Sequence, residues 1–181
     1  MCDDLPSSEM PEIPLRRASA EAWAGYASAL VEIDAGGGRV LRFEPGSAAG
    51  GHYPFDGSVY VVSAANPQSR RLPAAENAAR GDALRTRLIH CGVSWRYAVG
   101  YSADRSWLEL SYALSDTDVA TAIGIGAEFE QASIFALSPG RLEVVSIDGS
   151  IAAREPRTLR VVDWAQSIVR QAAAELGEAR G

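Results

Sequence analysis

The sequence predicts an α+β domain: a ferredoxin-like (split βαβ) antiparallel sheet core with an extra N-terminal helix and hairpin and a C-terminal helix. Three observations carry this expectation. From Ser58 to Leu137 the periodicities run strand, helix, strand, strand, helix, strand, the order of the split βαβ unit. Ser58–Ser63 is an almost unbroken β-branched run, which reads as a strand inside a sheet rather than at its edge. Val161, Ala165, Ile168, Ala172 and Leu176 recur at helical spacing, giving a C-terminal helix over about 160–177 an apolar stripe with which to cover a sheet face or an edge.

Residues 1–18 hold three prolines and no sustained periodicity, and read as an extended arm; residues 19–181 form one domain. Ser19 caps a helix running to Leu30, with Glu21 in its first turn where the dipole favours an anion. Val31–Asp34 and Arg39–Phe43 form a hairpin around Ala35–Gly38. No helix follows those glycines to supply amides for a phosphate, so the phosphate-loop reading is rejected. Residues 44–57 are a loop. Asn66-Pro67 stops the central strand, and Pro73 suits the first turn of a helix reaching Cys91-Gly92. Alternation in Trp95–Tyr101 and Leu108–Leu114 predicts a second hairpin, Ser115 or Asp116 caps a helix to about Glu130, and Ala132–Leu137 with Leu142–Ile147 makes a third hairpin. Two right-handed crossovers then place both middle helices on one sheet face.

At 181 residues, 47% of them apolar, the chain supplies one core and too little for two. A net charge of −6 argues against a chain-wide footprint for nucleic acid. With no apolar run of membrane-spanning length and an acidic, proline-rich start, a cytoplasmic protein away from the membrane is expected. Cys2 and Cys91 read as free thiols. Every basic side chain is Arg, so Schiff-base chemistry and a phosphate-loop lysine are excluded.

The segment Ser63-Ala-Ala-Asn-Pro-Gln-Ser-Arg-Arg-Leu-Pro-Ala-Ala-Glu-Asn77 resembles the bacterial family catalogued as domain of unknown function 3293, whose members carry a strand ending in T-A-x-N-P-x-S and a helix beginning near an E-N pair. Asp104-Arg-Ser-Trp-Leu-Glu109 and Phe129-Glu-Gln-Ala-Ser-Ile-Phe135 are similar to two further elements of that family. The resemblance spans roughly residues 58–147. Ser63 departs from the usual Thr but keeps a hydroxyl; Pro73 replaces a capping Ser; Ser133 stands where the family has Ala. The resemblance implies a fold and a set of candidate residues, and no activity.

Asn66, Ser69, Arg70, Arg71, Glu76 and Asn77 form the sharpest constellation, at the end of a buried strand and the start of a helix. Unpaired amides and the dipole favour anions there, and Arg adds a fork of donors that fits a carboxylate or phosphate. The plainer account has Asn66 and Ser69 satisfying a tight turn, Glu76 pairing with Arg70 or Arg80, and Asn77 stitching helix to loop; the two accounts are compatible. Glu109 shares a strand face with Trp107 and Ser111. A carboxylate beside Trp acquires a raised pKa and can serve as acid or base, whereas the commoner arrangement is solvent exposure or an Arg partner across the sheet. Gln131 precedes another strand and reaches the same cleft.

His52, His90 and Cys91 lack any metal-ligand spacing, and neither a G-x-S-x-G elbow nor a catalytic triad is present, so no metal and no cofactor are expected. Arg70, Arg71, Arg80, Arg85 and Arg87, with Tyr97, Tyr101 and Trp107, hint at a nucleic-acid surface, but Glu76 and Asp82 dilute it and no aromatic RNA-binding pattern occurs. The leading expectation is a noncatalytic binding or regulatory module for a small anionic ligand or a protein partner, with homo-oligomerisation through sheet faces or edges left open. The alternatives are a hydrolase or transferase using Glu109 or Glu76 as base, and a nucleic-acid-binding accessory protein.

Overall fold

Three left-handed glycines, Gly36, Gly37 and Gly38 (φ 76°, 62° and 76°), turn the chain sharply between Leu30–Gly36 (β1) and Arg39–Pro45 (β2). A side chain at these positions would be strained, which is why the loop is glycine. The computed structural model describes residues 19–48 and 50–175; the expected arm at 1–18 lies outside them, as does Leu176.

The remaining strands are Val59–Ser63 (β3), Ser94–Tyr101 (β4), Leu108–Ser115 (β5), Ser133–Ser138 (β6), Arg141–Ser146 (β7) and Ile151–Asp163 (β8). They pair antiparallel in the order β1-β2-β8-β7-β6-β3-β5-β4, and β4 returns to β1 through Val31↔Gly100 and Ile33↔Ala98. The sheet is a closed barrel. The expected open ferredoxin-like α+β sheet is therefore incorrect. The order β6-β3-β5-β4 does place the central strand between two neighbours, but the wall continues past both ends of that set. The hairpin strands left outside the split βαβ core extend the wall, β1 beside β4 and β7 beside β6. Closure gives every strand a neighbour on each side over at least part of its length, in place of the two open edges of a flat sheet.

Closure depends on β8, which the sequence reading missed. Residues 151–156 pair with β7 and residues 157–163 with β2, so one long strand bridges two neighbours. The run Arg154-Glu155-Pro156-Arg157 obscures its alternation. Pro156, which has no N–H for a ladder, sits where the strand changes partner. Val161 and Ala165 fit a helical stripe on paper, yet Val161 pairs with Leu41 in the wall. The helix expected at about 160–177 begins only at Ile168.

Inside the barrel, Val31, Ile33, Phe43, Val61, Leu142 and Val144 belong to one buried cluster. Alternate residues face outward. Val62, Val99, Tyr112 and Leu114 pack there against Leu84 and Leu88 of Ala74–Cys91 (α2), Ala122 and Ile125 of Val119–Glu128 (α3), and Ile168 and Val169 of Ile168–Glu175 (α4). Covering on both faces explains why β3 reads as continuously apolar. Asp118, rather than Ser115 or Asp116, caps α3, accepting from the Thr121 amide at 2.7 Å.

A buried carboxylate secures α4. Glu32, fully buried on the outer side of β1, accepts from Arg42 at 2.7 Å, from the Tyr101 hydroxyl at 3.1 Å, and from the Ile168 and Val169 amides at 2.6 and 3.0 Å. These amides are among the unpaired donors that begin a helix. The first helix, Ala20–Ser28 (α1), lies across one barrel end and buries none of its residues fully. Arg157 holds its C-terminal turn, donating to the Ala27 and Ala29 carbonyls. No helix among the described residues is long and apolar enough to cross a membrane.

Candidate functional site

The Pro67–Ser69 turn that follows β3 is backbone in unusual conformations. Asn66, Gln68 and Ser69 all have positive φ (47°, 51° and 60°). Asn tolerates this region better than most residues, and here its side chain spans the turn. The Asn66 Oδ1 accepts from the Leu72 amide and the Asn77 Nδ2, each at 3.0 Å, while its own backbone N–H donates to the Asn77 Oδ1 at 2.9 Å. With the oxygen occupied by two donors, the Asn66 Nδ2 must point the other way. It donates to Glu109 Oε1 at 3.0 Å.

Glu109 is on the inward face of β5, between the walls of the barrel mouth. Burial pushes its carboxyl up to about 7, against the hydrogen bonds from Asn66 and the Trp107 indole, which lower it. The Arg partner that the plainer account offered is absent among the described residues. The turn between β4 and β5 sets Trp107. The Trp107 backbone N–H donates to the Ser102 Oγ at 3.0 Å, and the Ser102 hydroxyl donates to Asp104 at 2.6 Å. The Ser102 hydroxyl and then the Ser106 amide, which donates at 3.0 Å, hold the Asp104 carboxyl down to about 2. Arg71 rests over the Trp107 ring at 4.5 Å and donates to the Ser106 carbonyl at 2.8 Å.

Together these groups line a cavity of about 570 Å3 at the end of the barrel under α1. This falls within the range of roughly 300–1,000 Å3 typical of small-molecule sites, and barrel mouths are a common place for them. Val61, Gly100 and Phe135 form its apolar depth, and Tyr26 of α1 covers it. The Tyr26 hydroxyl hydrogen-bonds Ser69, and its ring meets Phe135 edge-on at 6.2 Å. Burial raises the Tyr26 pKa, the Ser69 hydrogen bond lowers it, and the nearby Glu109 raises it. Gln131 is buried at the rim, its Nε2 donating to the Ala65 carbonyl at 3.1 Å and to that of Phe129 at 3.4 Å.

Of the residues singled out from sequence, Asn66, Ser69, Glu109 and Gln131 line this cavity. Asn77 stands behind Asn66 as its support. Arg70, Arg71 and Glu76 are exposed and do not line it. The basic cluster is partly spent elsewhere: Arg80 donates to the Ala64 and Phe129 carbonyls, and Arg87 pairs with Glu128 at 2.8 Å. Tyr97 and Tyr101 are buried rather than open for stacking. Sequence reasoning missed Tyr26, Gly100 and Phe135 as lining residues. Strand alternation places Gly100 and Phe135 on inward faces, but nothing local brings α1 over the mouth.

A family model described as "Protein of unknown function (DUF3293)" matches residues 62–134. Residues 62–134 belong to the DUF3293 family. No curated protein and no solved structure matches the chain. The DUF3293 segment contains every candidate from Asn66 to Gln131, whereas Tyr26 and the rest of α1 lie before it and Phe135 just after it. The three stretches that carry the resemblance, 63–77, 104–109 and 129–135, are far apart in sequence and all reach the cavity, supplying Asn66, Glu109 and Gln131.

Proposed function

We propose that this protein is a noncatalytic small-molecule-binding barrel, its ligand lodged in the mouth beneath α1 with a polar group at Glu109. The observation that carries this reading is the convergence of the three DUF3293-like stretches on one cavity. The leading sequence expectation placed a small anionic ligand or a protein partner around Asn66 to Asn77, with Arg70 and Arg71 as the donors to an anion. Since neither lines the cavity, the reading keeps the small ligand and moves its position to the barrel mouth.

Catalysis with Glu109 as acid or base is the second reading, favoured by its value of about 7, suited to proton transfer near neutrality. Binding is preferred because the two serine hydroxyls on the inward faces of β3 and β5 are committed to backbone. Ser63 donates to the Leu110 carbonyl at 3.1 Å and Ser111 to the Glu109 carbonyl at 3.2 Å. Neither is thereby set up as a nucleophile activated by the carboxylate. Glu76, the other base considered, is exposed on α2 outside the cavity.

The test is a fragment screen read at the Trp107 indole N–H by NMR, with thermal shift as a second readout. Ligands are expected to move that resonance and raise Tm by a few degrees, in the manner of any binder selective for the folded state. Gly100→Leu, which projects a side chain into the cavity, should abolish both effects while the protein stays folded. A screen with no hits on the wild type, or hits unaffected by Gly100→Leu, would rule the reading out. Turnover of any hit, lost in Glu109→Gln, would favour the catalytic alternative.

A further inference from the structure

The cavity's lining is chemically one-sided. Its charged side chains are two carboxylates, Glu109 in the depth and Glu21 on α1, and no Arg or His among the described residues lines it. Arg71, stacked over the Trp107 ring and donating to the Ser106 carbonyl, does not line it. Among the described residues the Glu109 carboxyl thus has neutral partners, Asn66 and Trp107, and no counter-ion.

The acceptors in the cavity are also oriented by the fold. The Gln131 Nε2 has both hydrogens directed at backbone carbonyls, so the amide cannot flip without losing them, and its Oε1 is left as an acceptor with no protein donor among the described residues. Asn66 is fixed the opposite way, its oxygen fully used and its nitrogen on Glu109. What the described residues do not supply to the site is a donor-rich positive group. Beside these acceptors stand Trp107, Tyr26 and Phe135, whose rings suit an apolar body and whose faces attract cations.

Resting on the binding reading above, we propose that the ligand is an organic ammonium: a primary or secondary amine on an apolar, ring-bearing body, with the nitrogen facing Glu109 and the Gln131 Oε1 and the body against the aromatic side chains. The ammonium supplies the counter-ion that the buried carboxyl lacks, and its N–H groups meet acceptors that the fold has already positioned. A carboxylate ligand would meet Glu109 with like charge. A neutral alcohol would satisfy one acceptor and leave the carboxyl unpaired.

Three probes of matched shape separate these cases: 2-phenylethylamine, 2-phenylethanol and phenylacetate, titrated at pH 8 with the Trp107 indole N–H as reporter. The amine is expected to bind about tenfold or more tighter than the alcohol, the usual margin of a charge-assisted hydrogen bond, and phenylacetate weakest. In Glu109→Gln the amine should lose that advantage while the alcohol binds as before. Alcohol or phenylacetate binding as tightly as the amine would overturn the inference. So would an amine preference that survives in Glu109→Gln, or no response to any of the three. The binding reading itself falls only if the wider fragment screen is silent too, so the two failures are distinguishable.

Discussion

Asn66 uses its backbone N–H and both ends of its side-chain amide at once: N–H to Asn77, oxygen to Leu72 and Asn77, nitrogen to Glu109. An amide so constrained delivers one donor to the carboxyl in a fixed direction, and this outweighs the cost of its left-handed backbone. Glu109 gives the residue scale its sharpest prediction. Its folded value, about 7, lies above the ordinary 4.5, so the folded protein holds this proton more firmly than the unfolded chain. That contribution is fully present below about pH 4.5 and is lost as pH rises through about 7. Glu109→Gln keeps an acceptor for Asn66 and removes the titration. It is expected to leave stability at pH 4 little changed and to raise it at pH 8 by on the order of 2 kcal/mol, measured by urea unfolding. An equal effect at both pH values would show that Glu109 does not titrate as described. At this scale much of the site was legible. The run Asn66-Pro67 announced a turn, and Glu109 in an apolar strand announced an anomaly. Its environment was not legible, since burial is set by a cavity whose walls come from several strands.

Among the elements, α4 and α1 are held by opposite devices. Helix α4 starts on a buried anion and α1 ends on a buried cation. Glu32 takes the first amides of α4, and Arg157 takes the last carbonyls of α1; each charge meets the end of the helix dipole that attracts it. Glu32→Ala would strip α4 of its anchor and leave Arg42 without its partner. A loss of about 3 kcal/mol is expected, with hydrogen exchange at Ile168 and Val169 accelerating more than exchange in β3. Uniform acceleration across both would mean that α4 has no separate anchor. The hairpins, helices α1, α2 and α3, and the central strand follow from local periodicity and turn residues such as Gly36–Gly38. Strand β8 does not, because Pro156 and the charges around it mask its alternation. Glu32 shows the same blindness in miniature. A carboxylate at an outward strand position reads as solvated until a helix from the far end of the chain covers it.

On the scale of the whole molecule, the difference between an open sheet and a closed barrel rests on two junctions, β1 with β4 and β8 with its two neighbours. Both are long-range pairings, invisible to windows of ten or fifteen residues. The second junction leaves part of β8 without a strand on one side, and the loop after β2 fills the space. The Gly51 amide donates to the Leu159 carbonyl at 2.8 Å, and a Cβ on Gly50 would stand 2.7 Å from the Leu159 backbone nitrogen. Gly50→Ala therefore forces backbone from backbone. It is expected to cost about 2 kcal/mol and to lower Tm by about 5 °C in one transition, seen together by tryptophan fluorescence and circular dichroism. An unchanged Tm would mean that the loop is not part of the wall.

The Glu32 anchor also fixes an order of events for a chain made from its N-terminus. Glu32 and Arg42 leave the ribosome early, whereas the Ile168 and Val169 amides follow Glu32 by 136 and 137 positions. Emergence of Asp163 lets the last strand complete the wall, yet the carboxylate is still short of two donors. A chain halted between those points has every pairing of the wall but carries, on the outer side of β1, a carboxylate still short of two donors, so the first turn of α4, and not β8, completes the anchor.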